Sequence, residues 1–186
     1  MKENYPSESQ TIYYLPGKAS YAPALGETLR CMLPFGHSSL IILCIGSPLV
    51  SGDRLGPRVG SLLLPHSSEA LHVFGTEASP VHALNLGRTL ENIRCNYPDT
   101  PVVAVDAALS ERKYLGHITI GKGPVHPGSG IHKELTGTGD VHITGIVSIS
   151  GYMEYFILRH TPRSQVERLA SVIAQGILSG ISHETA

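Results

Sequence analysis

Two short runs of uninterrupted apolar residues, Leu40–Ile45 and Val102–Val105, constrain this chain more than any other feature. A strand that is apolar on alternate residues has one face in water. A strand that is apolar throughout has to be covered on both faces. These runs therefore read as central strands of a sheet with helices above and below. Periodic segments elsewhere supply the cover. Tyr21–Leu33 places Ala24, Leu25, Leu29 and Leu33 near helical spacing. Gly56–Leu64 reads as a short helix with Pro57 in its first turn, where a missing N–H does no harm. His82–Arg94 carries Ala83, Leu86, Leu90 and Ile93 on one face, and Arg163–Leu178 carries a longer stripe from Val166 to Ile177. His72–Gly75, Tyr114–Ile120 and His142–Ile149 are further strand candidates. This alternation predicts an α/β fold, a three-layer sandwich with a mostly parallel sheet.

A chain of 186 residues, 41% of them hydrophobic and 16% charged, is enough for one domain with a real core. The polar segment Met1–Gln10 reads as a loose start. The expected organisation is an N-terminal arm over residues 1–20 and a single α/β domain over 21–186. A formal net charge of −1 gives no electrostatic case for nucleic acid or an anionic membrane as partner. No stretch approaches the ~18 consecutive apolar residues that span a bilayer. Cys31, Cys44 and Cys95 are odd in number and far apart, which argues against a disulfide framework and fits a reducing cytoplasm. Arg163–Leu178 has two rival starts, Thr161-Pro162 and the capping-box pattern from Ser164 to Glu167.

Chemistry is expected where the two central strands end. Ligands of open α/β sheets gather outside the carboxyl ends of the strands. The first run leads through a glycine-punctuated loop to Asp53, and the second leads directly into Asp106. Two carboxyls sharing a site cannot both ionise easily, so one can act as a general acid while the other activates water. Each also has a plain structural reading: Asp53 as the N-cap of the helix that follows, Asp106 as a strand-end aspartate bonding a turn. A long polar loop, Gly121–Asp140, holds six glycines and two prolines, and loops of that length are usually functional or mobile. Within it, His126-Pro127-Gly128-Ser129-Gly130 could bring backbone N–H donors to an oxyanion, or form an ordinary turn with a solvated histidine. Asp53, Asp106 and His126 together would also suit a divalent metal.

The motifs Gly52-Asp53-Arg54-Leu55-Gly56-Pro57, Val105-Asp106-Ala107 and Val125-His126-Pro127-Gly128-Ser129-Gly130, in that order, resemble the YyaC-like sporulation proteins. That family is related to the spore germination protease of endospore-forming bacteria. The resemblance runs from about Leu40 to Ser150 and implies a phosphorylase/hydrolase-like fold, similar also to the hydrogenase maturation proteases. It implies a catalytic role for Asp53 and Asp106, by analogy with the aspartate pair proposed for the germination protease. The function implied is a sporulation-linked peptidase of aspartic type, with Asp53 and Asp106 as the catalytic pair and His126, Gly128, Ser129 and Gly130 on the substrate and oxyanion side. The partner implied is a protein or peptide substrate, small acid-soluble spore proteins among the candidates, in the cytoplasm of a forespore or mother cell. No cofactor is expected. The open alternatives are a divalent metal on Asp53, Asp106 and His126, as in a maturation-protease-like protein, and a catalytically silent spore-assembly protein on the same fold. Self-association is left open.

Overall fold

The computed structural model describes residues 12–125 and 137–182. Its strands are β1 (Ile12–Pro16), β2 (Leu40–Cys44), β3 (Leu71–Phe74), β4 (Val102–Ser110), β5 (His117–Lys122) and β6 (Val141–Ile149). Its helices are α1 (Ala22–Met32), α2 (Leu55–Leu63), α3 (Leu86–Asn96), α4 (Glu154–Arg159) and α5 (Arg163–Ile181). The strands form one mixed sheet in the order β1-β5-β6-β4-β2-β3. The four strands β6, β4, β2 and β3 run parallel, and β5 lies antiparallel between β6 and β1.

The sheet is sandwiched as the apolar runs demand. All five residues of β2 are buried. Its Ile42 and Cys44, with Val103 and Val105 of β4, face a core built with Leu25 and Leu29 of α1, Val59 of α2 and Leu169 and Ile173 of α5. On the opposite face Ile41 and Leu43, with Ala104, meet Leu86 and Ile93 of α3. Each large side chain buried this way contributes roughly 1.5–3 kcal/mol. Helices α1 and α5 cross at backbone contact: a Cβ on Gly26 would lie 2.6 Å from the Gly176 carbonyl oxygen and 2.7 Å from the Gly180 nitrogen.

Strand order creates the crevice. β3 lies outside β2 on one side, and the chain then crosses back to place β4 on the other side. The direction of winding therefore reverses between β2 and β4, the point where an open α/β sheet leaves a cleft beyond the strand ends.

Several local expectations change. Ile12–Pro16 pairs with β5 from Ile12↔Gly121 to Pro16↔His117, so the arm expected over residues 1–20 gives way to an edge strand there. Asp106 does not end its strand. β6 continues to pair with β4 through Asp106↔Thr144 as far as Ser110↔Ile149, past a register shift between Ala108 and Leu109. Pairing with β2 stops one residue before Asp106, at Cys44↔Val105. Residues 112–114 form a 3-10 turn, so β5 begins only at His117. Helix α3 starts at Leu86 rather than His82 because the Asn85 side chain accepts the His82 N–H at 2.8 Å and closes a turn there. The Thr161-Pro162 start wins for α5, and Glu167 bonds Arg58 instead of closing a capping box. The long loop expected from Gly121 is shorter, since β5 takes Gly121 and Lys122 and Val125 bridges to Thr138.

Candidate active site

The site begins where β2 leaves the sheet. The Ile45 N–H still donates to the Val105 carbonyl at 2.7 Å, but the Gly46 N–H turns away to the Val81 carbonyl at 2.8 Å. Gly46 has φ +139°, and a Cβ there would lie 2.1 Å from the Asp53 carbonyl oxygen. Only glycine lets the loop fold back so closely. The fold-back brings the Asp53 side chain home: its Oδ2 accepts the Ser47 N–H at 2.7 Å. Asp106, 6% exposed, lies just beyond the last β2–β4 pair, and its Oδ1 accepts the Ala107 N–H at 2.8 Å. Each carboxyl thus accepts one backbone N–H close by in its own segment.

These bonds decide between the two readings of Asp53. The residue at the N-cap of α2 is Arg54, and no side chain caps that helix. The Asp53 carboxylate points back to Ser47 rather than forward into the helix. The loop is fixed from outside as well. The Gly52 N–H donates to the Leu158 carbonyl at 2.9 Å and the Ser51 hydroxyl to the Thr161 carbonyl at 2.7 Å. Arg54 pairs with Glu77, and Arg58 reaches Glu77 at 3.4 Å and Glu167 at 2.8 Å.

The two carboxyls differ electrically. Burial pushes Asp106 well above the usual carboxylate range, the nearby charge of Asp53 pushes it further, and the Ala107 N–H only partly opposes this. Burial also raises Asp53, but the Ser47 N–H and the positive character of His82 pull it back. Asp106 therefore holds its proton to higher pH than Asp53 does. A neutral acid beside a carboxylate is the arrangement that acid–base catalysis needs.

His82 was not legible as a site residue. It follows Val81, which bridges in parallel to Ile45 and accepts the Gly46 N–H, so it stands beside the Asp53 loop. Its Nδ1 is buried without a hydrogen-bond partner. The signal was available: the rule that points to loops after β2 and β4 applies equally to the loop after β3. Because His82 lowers the Asp53 value, His82→Asn is expected to raise it. The acid limb of a pH–activity profile, or the Asp53 carboxyl signal followed by NMR, should then move toward neutrality.

His126, Gly128, Ser129 and Gly130 lie outside the described residues. Among the described residues no group of three or more histidines, cysteines or acids gathers as a metal site. Asp53 and Asp106 are the described members of the expected divalent-metal set, and its third member, His126, lies outside the described residues. No helix of the described residues is long and apolar enough to cross a membrane.

Comparison with known proteins bears on the family and the fold. The family described as "Protein of unknown function (DUF1256)" matches residues 14–176. The uncharacterized protein YyaC of Bacillus subtilis (strain 168) is 42% identical over 138 residues, 74% of this chain and 67% of that protein. Among solved structures, the NiFe hydrogenase maturation protease HycI from Thermococcus kodakarensis KOD1 superposes with a TM-score of 0.52. That match is 20% identical and covers 81% of this chain and 98% of the other. At that identity the likeness concerns the fold alone, a helix-flanked α/β sandwich.

Proposed function

Since the chain belongs to the DUF1256 family and has a protease-like fold, we propose that it is a peptidase in which Asp53 and Asp106 activate water. What supports this reading is a buried Asp106 at the switch-point crevice, its carboxyl raised by that burial and by the nearby charge of Asp53. Asp53 takes a proton from water as the oxygen attacks the peptide carbonyl. Asp106 gives its proton to the amide nitrogen as the C–N bond breaks. The new carboxyl group carries the water oxygen, and one proton transfer between the two aspartates restores the pair. We assign His126, Gly128, Ser129 and Gly130 to the substrate and oxyanion side on the sequence motif alone. The motif resemblance points the search for substrate to spore proteins, the small acid-soluble ones included.

The test is digestion of a mixed peptide library by the purified protein, read by mass spectrometry. New termini should accumulate in proportion to protein concentration and disappear in the Asp53→Asn variant. A library left intact after prolonged incubation at high protein concentration, or cleavage that survives Asp53→Asn, contradicts the reading.

A further inference from the structure

The outer wall of the Asp53 loop opens into a second cavity, about 350 Å³, lined by Ser51, Arg54, Arg159, His160, Thr161 and Arg163 among others. Every charged side chain named there is basic. Arg54 is matched by Glu77, but Arg159 and Arg163 have no acidic partner among the described residues. The His160 Nδ1–H donates to the Phe156 carbonyl at 2.7 Å, which holds the ring at the cavity wall. α5 adds to the same field. It is 19 residues long, Arg163 is its first residue, and no side chain caps it. The first N–H groups of such a helix favour negative charge. The cavity is also held rigid: Ser51 bonds the Thr161 carbonyl, and the Thr161 hydroxyl donates to the Ile157 carbonyl at 3.3 Å.

Two unmatched guanidiniums and a helix start converging on one concavity describe an anion site. We propose that this cavity is a carboxylate subsite, which grips an acidic group of the peptide whose bond lies at Asp53 and Asp106. The assignment rests on the peptidase reading for what the ligand is, and on the cavity alone for its charge. Arg159 and Arg163 can each take a carboxylate through paired N–H donors. Ser51 and Arg54 flank Asp53 in sequence, so one loop carries both the catalytic carboxylate and a wall of the subsite. The carboxylate could belong to an acidic side chain or to the end of a chain.

Binding separates these sources and is independent of cleavage. The intact protein is titrated with three short peptides while the arginine Nε–H signals are followed by NMR and product is monitored in the same tubes. The first is acetyl-alanyl-glutamyl-alanine amide, the second the glutamine analogue with a free C-terminus, the third the glutamine analogue amidated. Either of the first two should bind at least about tenfold more tightly than the third, with affinity falling as salt is raised. The Arg159→Gln/Arg163→Gln double variant, changed only at exposed positions, should lose that preference while keeping the wild-type spectrum elsewhere. Preference for the first peptide assigns a side-chain carboxylate, and preference for the second a chain end. Equal binding of all three peptides, a preference that survives the double variant, or binding of inorganic phosphate with no carboxylate peptide, would overturn the subsite. Carboxylate binding without any product would leave the subsite standing and count against the peptidase reading.

Discussion

Asp106→Asn is expected to cut kcat/KM for peptide cleavage by roughly 100- to 10,000-fold, the range that a general acid or base contributes. The same substitution is expected to stabilise the fold, most of all at alkaline pH. Asp106 is buried, and its carboxyl is raised in the folded state by that burial and by Asp53. The folded protein therefore keeps this proton at pH values where the unfolded chain, near an ordinary aspartate value, has released it. That contribution is fully present below the unfolded value and is lost as pH rises through the folded one. Asparagine keeps the shape and never ionises, so the variant escapes the loss. Its advantage in Tm should be small at acid pH and grow as pH rises, by about 2–4 °C for each kcal/mol in a chain of this length. Asp53→Asn should abolish cleavage similarly with a smaller change in Tm, since Asp53 is less buried and less perturbed. Thermal melts across a pH series, alongside kinetics, read both effects. A variant that loses activity by unfolding would instead lose Tm at every pH.

The second large effect lies in the packing that aims the loop. Gly60 of α2 sits on Gly75 at the end of β3, and a Cβ on it would come within 2.0 Å of the Gly75 carbonyl oxygen. Backbone stands on both sides of that contact, so no rotamer change can relieve it. Gly75 cannot move aside, because its own φ is +85° and its Cα sits against the Cys44 carbonyl. Gly60→Ala should therefore push α2 off the sheet. The cost is expected at about 3 kcal/mol, the upper part of the overpacking range, or about 6–12 °C in Tm. Activity should fall with it, because α2 continues directly from Asp53 and Arg54. Calorimetry and a cleavage assay on this one variant check both. A near-neutral result would mean that the sheet and α2 are looser than their contact.

Much of this was legible in the residues themselves. Leu40–Ile45 and Val102–Val105 are buried central strands because neither leaves a polar face for water. The stripe from Val166 to Ile177 is α5 packed on that sheet. Asp53 and Asp106 stood out in sequence as the carboxylates following the two apolar runs, and they lie close enough for the charge of Asp53 to raise Asp106, although Asp106 does not end its strand. What sequence did not reveal depends on partners distant along the chain. β4 extends past Asp106 because β6 pairs with it, and no local pattern in Ala107–Ser110 announces that neighbour. α4 is six residues with no buried side chain, so it carries no apolar stripe to read. His82 is brought in by its neighbour Val81, which bridges to Ile45, 36 positions away in sequence, and the basic cavity joins Arg54 to Arg159 and Arg163 across more than a hundred residues.

The most direct measurement is a ¹³C NMR titration of the Asp53 and Asp106 side-chain carboxyls in the intact protein. Asp106 should titrate well above the ordinary aspartate range, Asp53 below Asp106, and the Asp106 midpoint should fall when Asp53 is replaced by asparagine. Two carboxyls titrating independently in the ordinary range, with Asp106 indifferent to Asp53→Asn, would contradict an acid–base pair at this site.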